Sequence, residues 1–314
     1  MAGFLPGPDA RLIIERTSLT AGNLRLAQAE GKMKIQVITD STFDMPEGLA
    51  KELGIRIVPI YLRFGDKTYR DGVDITKDEF YSMLTSSTVH PATSQPNPED
   101  FTSVYKEYCD SAEGIVSIHI SSKISGTYNS ANMARNTLKS HCPIEIIDSK
   151  FNSAGLGLVV TAAARAAKNG ANLAEVVNEA NKAAREVRMY GMFETMKYLA
   201  RSGRVNKTIA AASRVLNVMP LLTFHEGEVV RAGLVRSVSK GMDKIYDFVK
   251  NNVPVKELII VHSQALDRAS RLKTRLAEFI HEEKISIAEL GAGLGVHGGP
   301  GVLLAAIRRT EVKE

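Results

Sequence analysis

The sequence predicts an α/β fold: a mostly parallel sheet with helices on both faces, followed by a second, smaller α/β domain. Three observations carry that reading. From Met33 onward, apolar runs rich in β-branched residues alternate with stretches of helical spacing. Three of the runs end in turns bearing Ser, Thr or Asp: Asp40-Ser41-Thr42, Ser121 to Thr127 and Asp148-Ser149-Lys150. Past Arg185 to Arg188 the texture changes to a hairpin followed by further strand and helix patterns, which places a domain boundary there. The expected organisation is an N-terminal extension at 1–32, an α/β domain at 33–187 and a second at 188–314.

The elements follow in order. Lys34 to Thr39 reads as a strand, Pro46 to Leu53 as a helix closed by a left-handed Gly54, and Ile55 to Leu62 as a second strand. Thr76-x-x-Glu79 has the pattern of a capping box, with Phe80, Met83 and Leu84 as the apolar stripe behind it. A loop from Ser86 to Gln95 leads to Asn97-Pro98-Glu99-Asp100, a helix start with a cap, a proline at the first position and two acids in the first turn. Phe101, Val104, Tyr105 and Tyr108 share one face of that helix. Ile115 to Ile120 is a strand, followed by a hydroxyl-rich turn and a helix carrying Ala131, Ala134 and Leu138. Ile144 to Ile147 repeats the strand-and-turn pattern. Two helices come next, Ala154 to Lys168 and Leu173 to Val187, parted by Asn169-Gly170. Met189 to Phe193 reads as a strand, and Thr195 to Leu199 and Ile209 to Leu216 as helices. Leu221 to Val235 reads as a hairpin turning at Glu226-Gly227. Helix Lys240 to Val249, strand Leu258 to His262 and helix Leu266 to Phe279 complete the second region.

Composition narrows the function classes. A chain of 314 residues with 44% hydrophobic and 24% charged content has enough apolar material for a sizeable core. Its net charge of +5 is modest, its Lys and Arg are dispersed, and Trp is absent, which argues against nucleic-acid binding. The two cysteines, Cys109 and Cys142, stand outside any CxxC or His-rich context and read as reduced thiols of a cytoplasmic protein with no metal site. Residues 1–32 lack the basic start and apolar core of a signal peptide. They read as a flexible extension or an upstream start, the other option being an arm that packs on a partner subunit. The most apolar run, Ala154 to Ala167, is shorter than the ~20 residues a spanning helix needs and contains Arg165.

Three constellations are candidates for chemistry. In Pro91 to Pro96 the prolines keep the chain extended, so Thr93 and Ser94 present hydroxyls in a fixed place; the plainer reading is a turn. The turn Ser121 to Thr127 follows a buried strand and opens a helix, where hydroxyls and free N–H groups suit an anionic head group. Its plainer reading is a helix cap without a ligand. The third is the glycine-rich loop Gly291 to Gly301 around His297. It holds a G-x-G-x-x-G spacing, but too little chain remains before Glu314 for a dinucleotide-binding unit. Its glycines instead allow close approach to a ligand or another loop, with His297 as the polar group presented.

Together these motifs resemble the DegV family of bacterial lipid-binding proteins. The resemblance spans Met33 to Arg309. It rests on TDST at Thr39 to Thr42, DGVDIT at Asp71 to Thr76, TSQP at Thr93 to Pro96 and SSKISGTYNSA at Ser121 to Ala131. It continues through IDSK at Ile147 to Lys150, SGRV at Ser202 to Val205, Arg236 after the hairpin and HGGPG at His297 to Gly301. The resemblance implies two α/β domains with a long-chain fatty acid between them. It implies a carboxylate held by Thr93 and Ser125, with His297 in the same polar network. It implies an ATP-dependent fatty acid kinase as partner, engaged through Arg236, and a carrier that presents its ligand for phosphorylation.

The energetics suit that role. Burying about 14 methylenes at ~0.8 kcal/mol each contributes roughly 11 kcal/mol, so the chain supplies most of the affinity. The polar groups orient the carboxylate and spare it an unsatisfied burial. The sequence shows no G-x-x-x-x-G-K-[ST] loop, no H-E-x-x-H and no G-x-S-x-G elbow, which favours a carrier over an enzyme. The rival readings are a serine-dependent acyl hydrolase or acyltransferase, with Ser125 as nucleophile and His297 as base, and a lipid transport or regulatory protein without a kinase. Arg201, Arg204, Lys207 and Arg214 form either a solvated face or a contact with membrane phosphates or an acidic partner.

Overall fold

Every residue of the first strand, Ile35–Asp40, is buried, and this decides how the first half is built. A strand covered on both sides needs helices on both faces of its sheet. The computed structural model describes residues 34–139, 141–203 and 218–310. The expectations for residues 1–32, for a helix at 209–216 and for Arg204, Lys207 and Arg214 lie outside them.

The first half runs β1 (Ile35–Asp40), α1 (Leu49–Glu52), β2 (Arg56–Val58), β3 (Tyr61–Phe64), β4 (Lys67–Arg70), α2 (Lys77–Ser86), β5 (Ala92–Ser94), α3 (Pro98–Cys109), β6 (Gly114–His119), α4 (Thr127–Thr137), β7 (Ile144–Asp148), α5 (Ser153–Lys168) and α6 (Leu173–Glu186). Four of its strands form an all-parallel sheet in the order β2-β1-β6-β7. Phe101, Val104 and Tyr105 of α3 and Ala131 and Ala134 of α4 cover one face, packing on Ile38, Ile115 and Ile144. Helices α5 and α6 cover the other, against Val37, Val116 and Ile118. The predicted capping box at Thr76 is present, and the predicted helix start at Asn97 carries a second one. Thr76 and Glu79 exchange side-chain and backbone bonds at the start of α2, and Asn97 and Asp100 do so at α3.

The strand expected from Ile55 to Leu62 is two strands in two sheets. Pro59 has no N–H to continue the ladder with β1, so pairing stops at Val58. The chain then turns into β3, which lies between β4 and β5 in a small antiparallel sheet. The loop expected before Gln95 contains β5, whose Thr93 pairs with Leu62 of β3. The helix expected from Pro46 to Leu53 is confined to the single turn of α1.

The second half runs β8 (Val187–Met192), α7 (Lys197–Ser202), β9 (Met219–His225), β10 (Glu228–Val235), α8 (Val238–Lys250), β11 (Val255–His262), α9 (Leu266–Leu276), β12 (Ile285–Glu289), α10 (Ala292–Gly298) and β13 (Leu303–Arg309). Its six strands lie in the order β10-β9-β8-β13-β11-β12, and only β11 and β12 are parallel. The hairpin β9–β10 turns at Glu226 and Gly227, both at positive φ. Helices α8 and α9 cover one face through Met242, Ile245, Ala269 and Leu272.

Helix α5 joins the halves. It buries 13 of its 16 residues, because it lies between the two sheets. Its Ala, Val and Leu side chains share one core with Val37 and Ile118 of the first sheet and with Met189, Ile259, Val261 and Leu304 of the second. A helix apolar on every side, too short to span a bilayer, is explained by this double packing. No helix among the described residues is long and apolar enough to cross a membrane.

The stretch around His297 is a helix and not the expected loop. Residues Ala292–Gly298 form α10, and β13 follows it, so there was room for a strand, a helix and a strand. The last strand pairs antiparallel with β11, not beside β12 as a dinucleotide fold requires.

Candidate functional site

The sequence singled out Thr93, Ser125 and His297 for the head group, and the fold brings all three to one cavity. Its lining also includes Thr42, Gln95, Ile120 and Ile124. Thr93 arrives on β5, Ser125 in the turn after β6, and His297 in the last turn of α10. The Thr93 hydroxyl and His297 Nε2 share a hydrogen bond of 2.9 Å. Ser125 Oγ lies 2.8 Å from Thr127 Oγ1 and accepts a bond from the Thr127 N–H at 3.3 Å.

The turn that carries Ser125 sorts its hydroxyls. Ser121 Oγ donates to the Gly227 carbonyl at 2.8 Å, fixing the hairpin tip to the first sheet. Ser122 Oγ donates to Asp148 at 2.6 Å. Those two are engaged structurally, and Ser125 is the one that faces the cavity. The TSQP strand is locked to this turn through Gln95. Its amide donates to Ser130 Oγ at 3.2 Å and lies against Gly126, where a Cβ would run into it. That close approach is the use of glycine here.

A second, apolar cavity adjoins the polar one. Met189, Phe193, Leu199, Leu222, Phe224 and Leu304 are among its walls. Ile124, Leu294 and His297 line both cavities. The imidazole thus stands where polar mouth meets apolar interior.

Buried charges frame the mouth. Asp40, at the end of β1, accepts bonds from His119 Nδ1 at 3.1 Å, Thr42 Oγ1 at 2.5 Å and the Ile120 N–H at 3.0 Å. Burial alone would raise its pKa, but these bonds and the His119 charge outweigh it and hold the carboxyl below its ordinary value. His119 Nε2 lies 2.7 Å from Ser117 Oγ, which Tyr105 also meets at 3.0 Å. All four groups are buried, so this Asp-His-Ser series braces the sheet and meets no substrate. Asp44 and Asp71 are buried too. Burial pushes Asp44 up to about 7 and Asp71 to about 6, against the pull of Lys77.

Arg236 is not part of this assembly. It is exposed at the end of β10 and lines an open surface cleft with Leu234, Lys240, Asp243, Lys244 and Asp247. Among the described residues no cluster of His, Cys, Asp and Glu is arranged to hold a metal. Three contributors escaped the sequence reading. Gln95 and Asp71 were visible only as parts of TSQP and DGVDIT, and Asp44 carried no signal because its partner Gly291 is 247 positions away.

A polar mouth of hydroxyls and one imidazole, opening on an apolar interior, defines an α/β protein suited to an amphipathic small molecule. The profile of the DegV family, described as uncharacterised proteins, matches residues 34–309, and the chain belongs to that family. A DegV domain-containing protein of Caldanaerobacter subterraneus is 34% identical over 270 residues, covering 85% of this chain and 96% of its own. The fold matches a Thermus thermophilus DegV family protein described as binding fatty acid, with a TM-score of 0.80 and 31% identity over 88% of this chain and 100% of that one. It also matches DegV of Bacillus subtilis, described as a fatty acid binding protein, with a TM-score of 0.79 and 26% identity at the same coverage.

Proposed function

We propose that this protein binds a long-chain fatty acid and presents its carboxylate to an ATP-dependent fatty acid kinase. The acyl chain lies in the apolar cavity, between the lobes 33–187 and 188–314. The carboxylate lies in the mouth, held by Thr93 and Ser125 with His297 beside them. The observation that carries this reading is the junction of the two cavities at Ile124, Leu294 and His297. An acidic end suits the polar mouth, and an apolar body suits the lining of the cavity that adjoins it. The fatty acids described for the Thermus and Bacillus relatives support the same ligand class.

The protein is a carrier in this reading, not a catalyst. A serine nucleophile needs a base within hydrogen-bond reach. Here His297 Nε2 is bonded to Thr93, and Ser125 Oγ to Thr127. Hydroxyls and an imidazole orient a carboxylate without a fixed ion pair, which leaves its oxygens reactive toward a phosphoryl donor. Arg236, exposed and apart from the ligand site, is the docking residue for the kinase. Cys109 and Cys142, neither of them in a disulfide, fit a cytoplasmic location, and Arg201, exposed on α7, fits a transient membrane-surface contact. Native mass spectrometry of the purified protein tests the ligand. A bound acid of roughly 14 to 18 carbons is expected, since shorter chains bury too little area. A consistently empty or nucleotide-loaded protein refutes the reading.

A further inference from the structure

Strand register gives the apolar cavity a direction. Met189, Gly191 and Phe193 line it in turn along β8 and the residue after it. Alternate residues of a strand share a face, so this row reads large, absent, large. Gly191 leaves a trough, and even a Cβ there would stand 2.6 Å from the Leu304 Cβ. The Phe193 end adjoins the head-group site: Gly298, next to His297, is so close that an added Cβ would lie 3.4 Å from the Phe193 ring. Met189 is four residues further along, ~13 Å at the usual rise of a strand. Tyr190 faces Thr223 across the antiparallel pair β8–β9, so Met189 and Phe224 stand abreast one step beyond. These two side chains also line a second cleft, whose walls include Asp148, Lys150, Arg185 and Arg188. They are the residues common to the two spaces. Met189 is buried, and Phe224 is half-buried with its ring 5.4 Å from that of Phe151.

We propose that Phe224, with Met189 beside it, is the end wall that sets the length of acyl chain this protein accepts. This rests on the fatty-acid reading of the site and names its specificity. A chain that leaves the head group past Phe193 and follows the trough at Gly191 meets these two side chains. Up to that point each further methylene is buried, which raises affinity roughly fourfold. Beyond it a longer chain has two options. It can push the Phe224 ring off Phe151, which disturbs a packed contact. Or it can send its end into a cleft lined by guanidinium and ammonium groups, Arg185 and Arg188 being exposed there, where an apolar tail gains little. The wall is therefore read out as the carbon number at which the gain stops.

The test is displacement of a fluorescent polyene fatty acid from the full chain by saturated acids of about 12 to about 22 carbons, for wild type and Phe224→Ala. Affinity for wild type is expected to climb with length and then level or fall. In Phe224→Ala the maximum should move at least two carbons longer, and the ratio of affinities for acids of about 20 and about 16 carbons should rise roughly 5- to 15-fold. Phe224→Leu keeps an apolar contact with Phe151 and should shift the profile the same way by less, which keeps the idea testable if the alanine variant does not fold. A dicarboxylic acid of about 16 carbons probes the wall in wild type. Its far carboxylate would be buried against apolar side chains, so it should bind at least about 100-fold more weakly than the monoacid. An unchanged length profile in the folded variants, including a loss equal at every length, overturns the proposal, because a merely structural role would produce it. So does a dicarboxylic acid held by wild type as tightly as the monoacid. Failure of wild type to bind any acid overturns the fatty-acid reading, and this proposal with it.

Discussion

Replacing Asp44 by Asn is predicted to make the fold more stable at alkaline pH. The folded-state carboxyl is pushed by burial from 3.8 up to about 7. A raised acid favours the native state only while it is protonated. Its folding penalty is therefore absent below the unfolded value of 3.8, grows as pH rises, and is complete above about 7. About three pKa units at ~1.36 kcal/mol each set an upper bound of about 4 kcal/mol. Asn keeps the shape and can still accept from the Gly291 N–H. It loses the charge-assisted bond from Ser153, worth roughly 1.5–3 kcal/mol. The balance is a gain of about 1–2 kcal/mol at pH 8. Near pH 4 the penalty is nearly gone, and the neutral wild-type carboxyl no longer makes the charge-assisted bond either, so the variant's advantage disappears. Urea unfolding at the two pH values measures both numbers. Equal destabilisation at pH 8 and pH 4 would refute the reasoning, because it would mean that the wild-type carboxyl is not costly when ionised.

Three further outcomes are expected. Thr93→Ala combined with Ser125→Ala should weaken fatty-acid binding about 10- to 100-fold, the worth of one or two bonds to a charged group; titration with the free acid and its methyl ester checks this, since the ester should be affected less. Arg236→Ala should leave fatty-acid affinity within about twofold, being remote from the ligand, and reduce phosphorylation by the kinase, as parallel binding and kinase assays would reveal. Gly295→Ala should cost about 1–3 kcal/mol despite the better helix propensity of alanine. Its Cβ would stand 2.6 Å from Phe80 and 2.9 Å from the Tyr81 hydroxyl, so α10 must shift; a thermal melt and the same binding titration would show both effects.

What could be read from residue order was what depends on near neighbours. The capping box at Thr76, the helix start at Asn97 and the hairpin at Glu226-Gly227 are decided within a few residues, and they appear where the pattern puts them. The run Ile55 to Leu62 looked continuous because its apolar residues are, yet Pro59 ends one ladder before the next begins. Glycine spacing suggested a loop at 291–301, because helix propensity there is poor; long-range bonds from Asp44 and Asp71 supply what propensity lacks. Thr93, Ser125 and His297 were visible as motifs, but their meeting depends on pairing between Thr93 and Leu62, on Gln95 resting against Gly126 and on the seating of α10. None of those contacts leaves a trace in local sequence.

The placement of α5 has a mechanical consequence. Both leaves of the molecule are fastened to the same spine, with Val37 and Ile118 on one flank and Ile259 and Leu304 on the other. Swinging the leaves apart would strip that spine of its packing on one side, so the molecule does not open like a book. At the margin, by contrast, the hairpin tip is pinned to the first sheet by the Ser121 hydroxyl on the Gly227 carbonyl and by the surface pair Lys150 and Glu226. Unfastening those two clasps disturbs far less than parting the leaves.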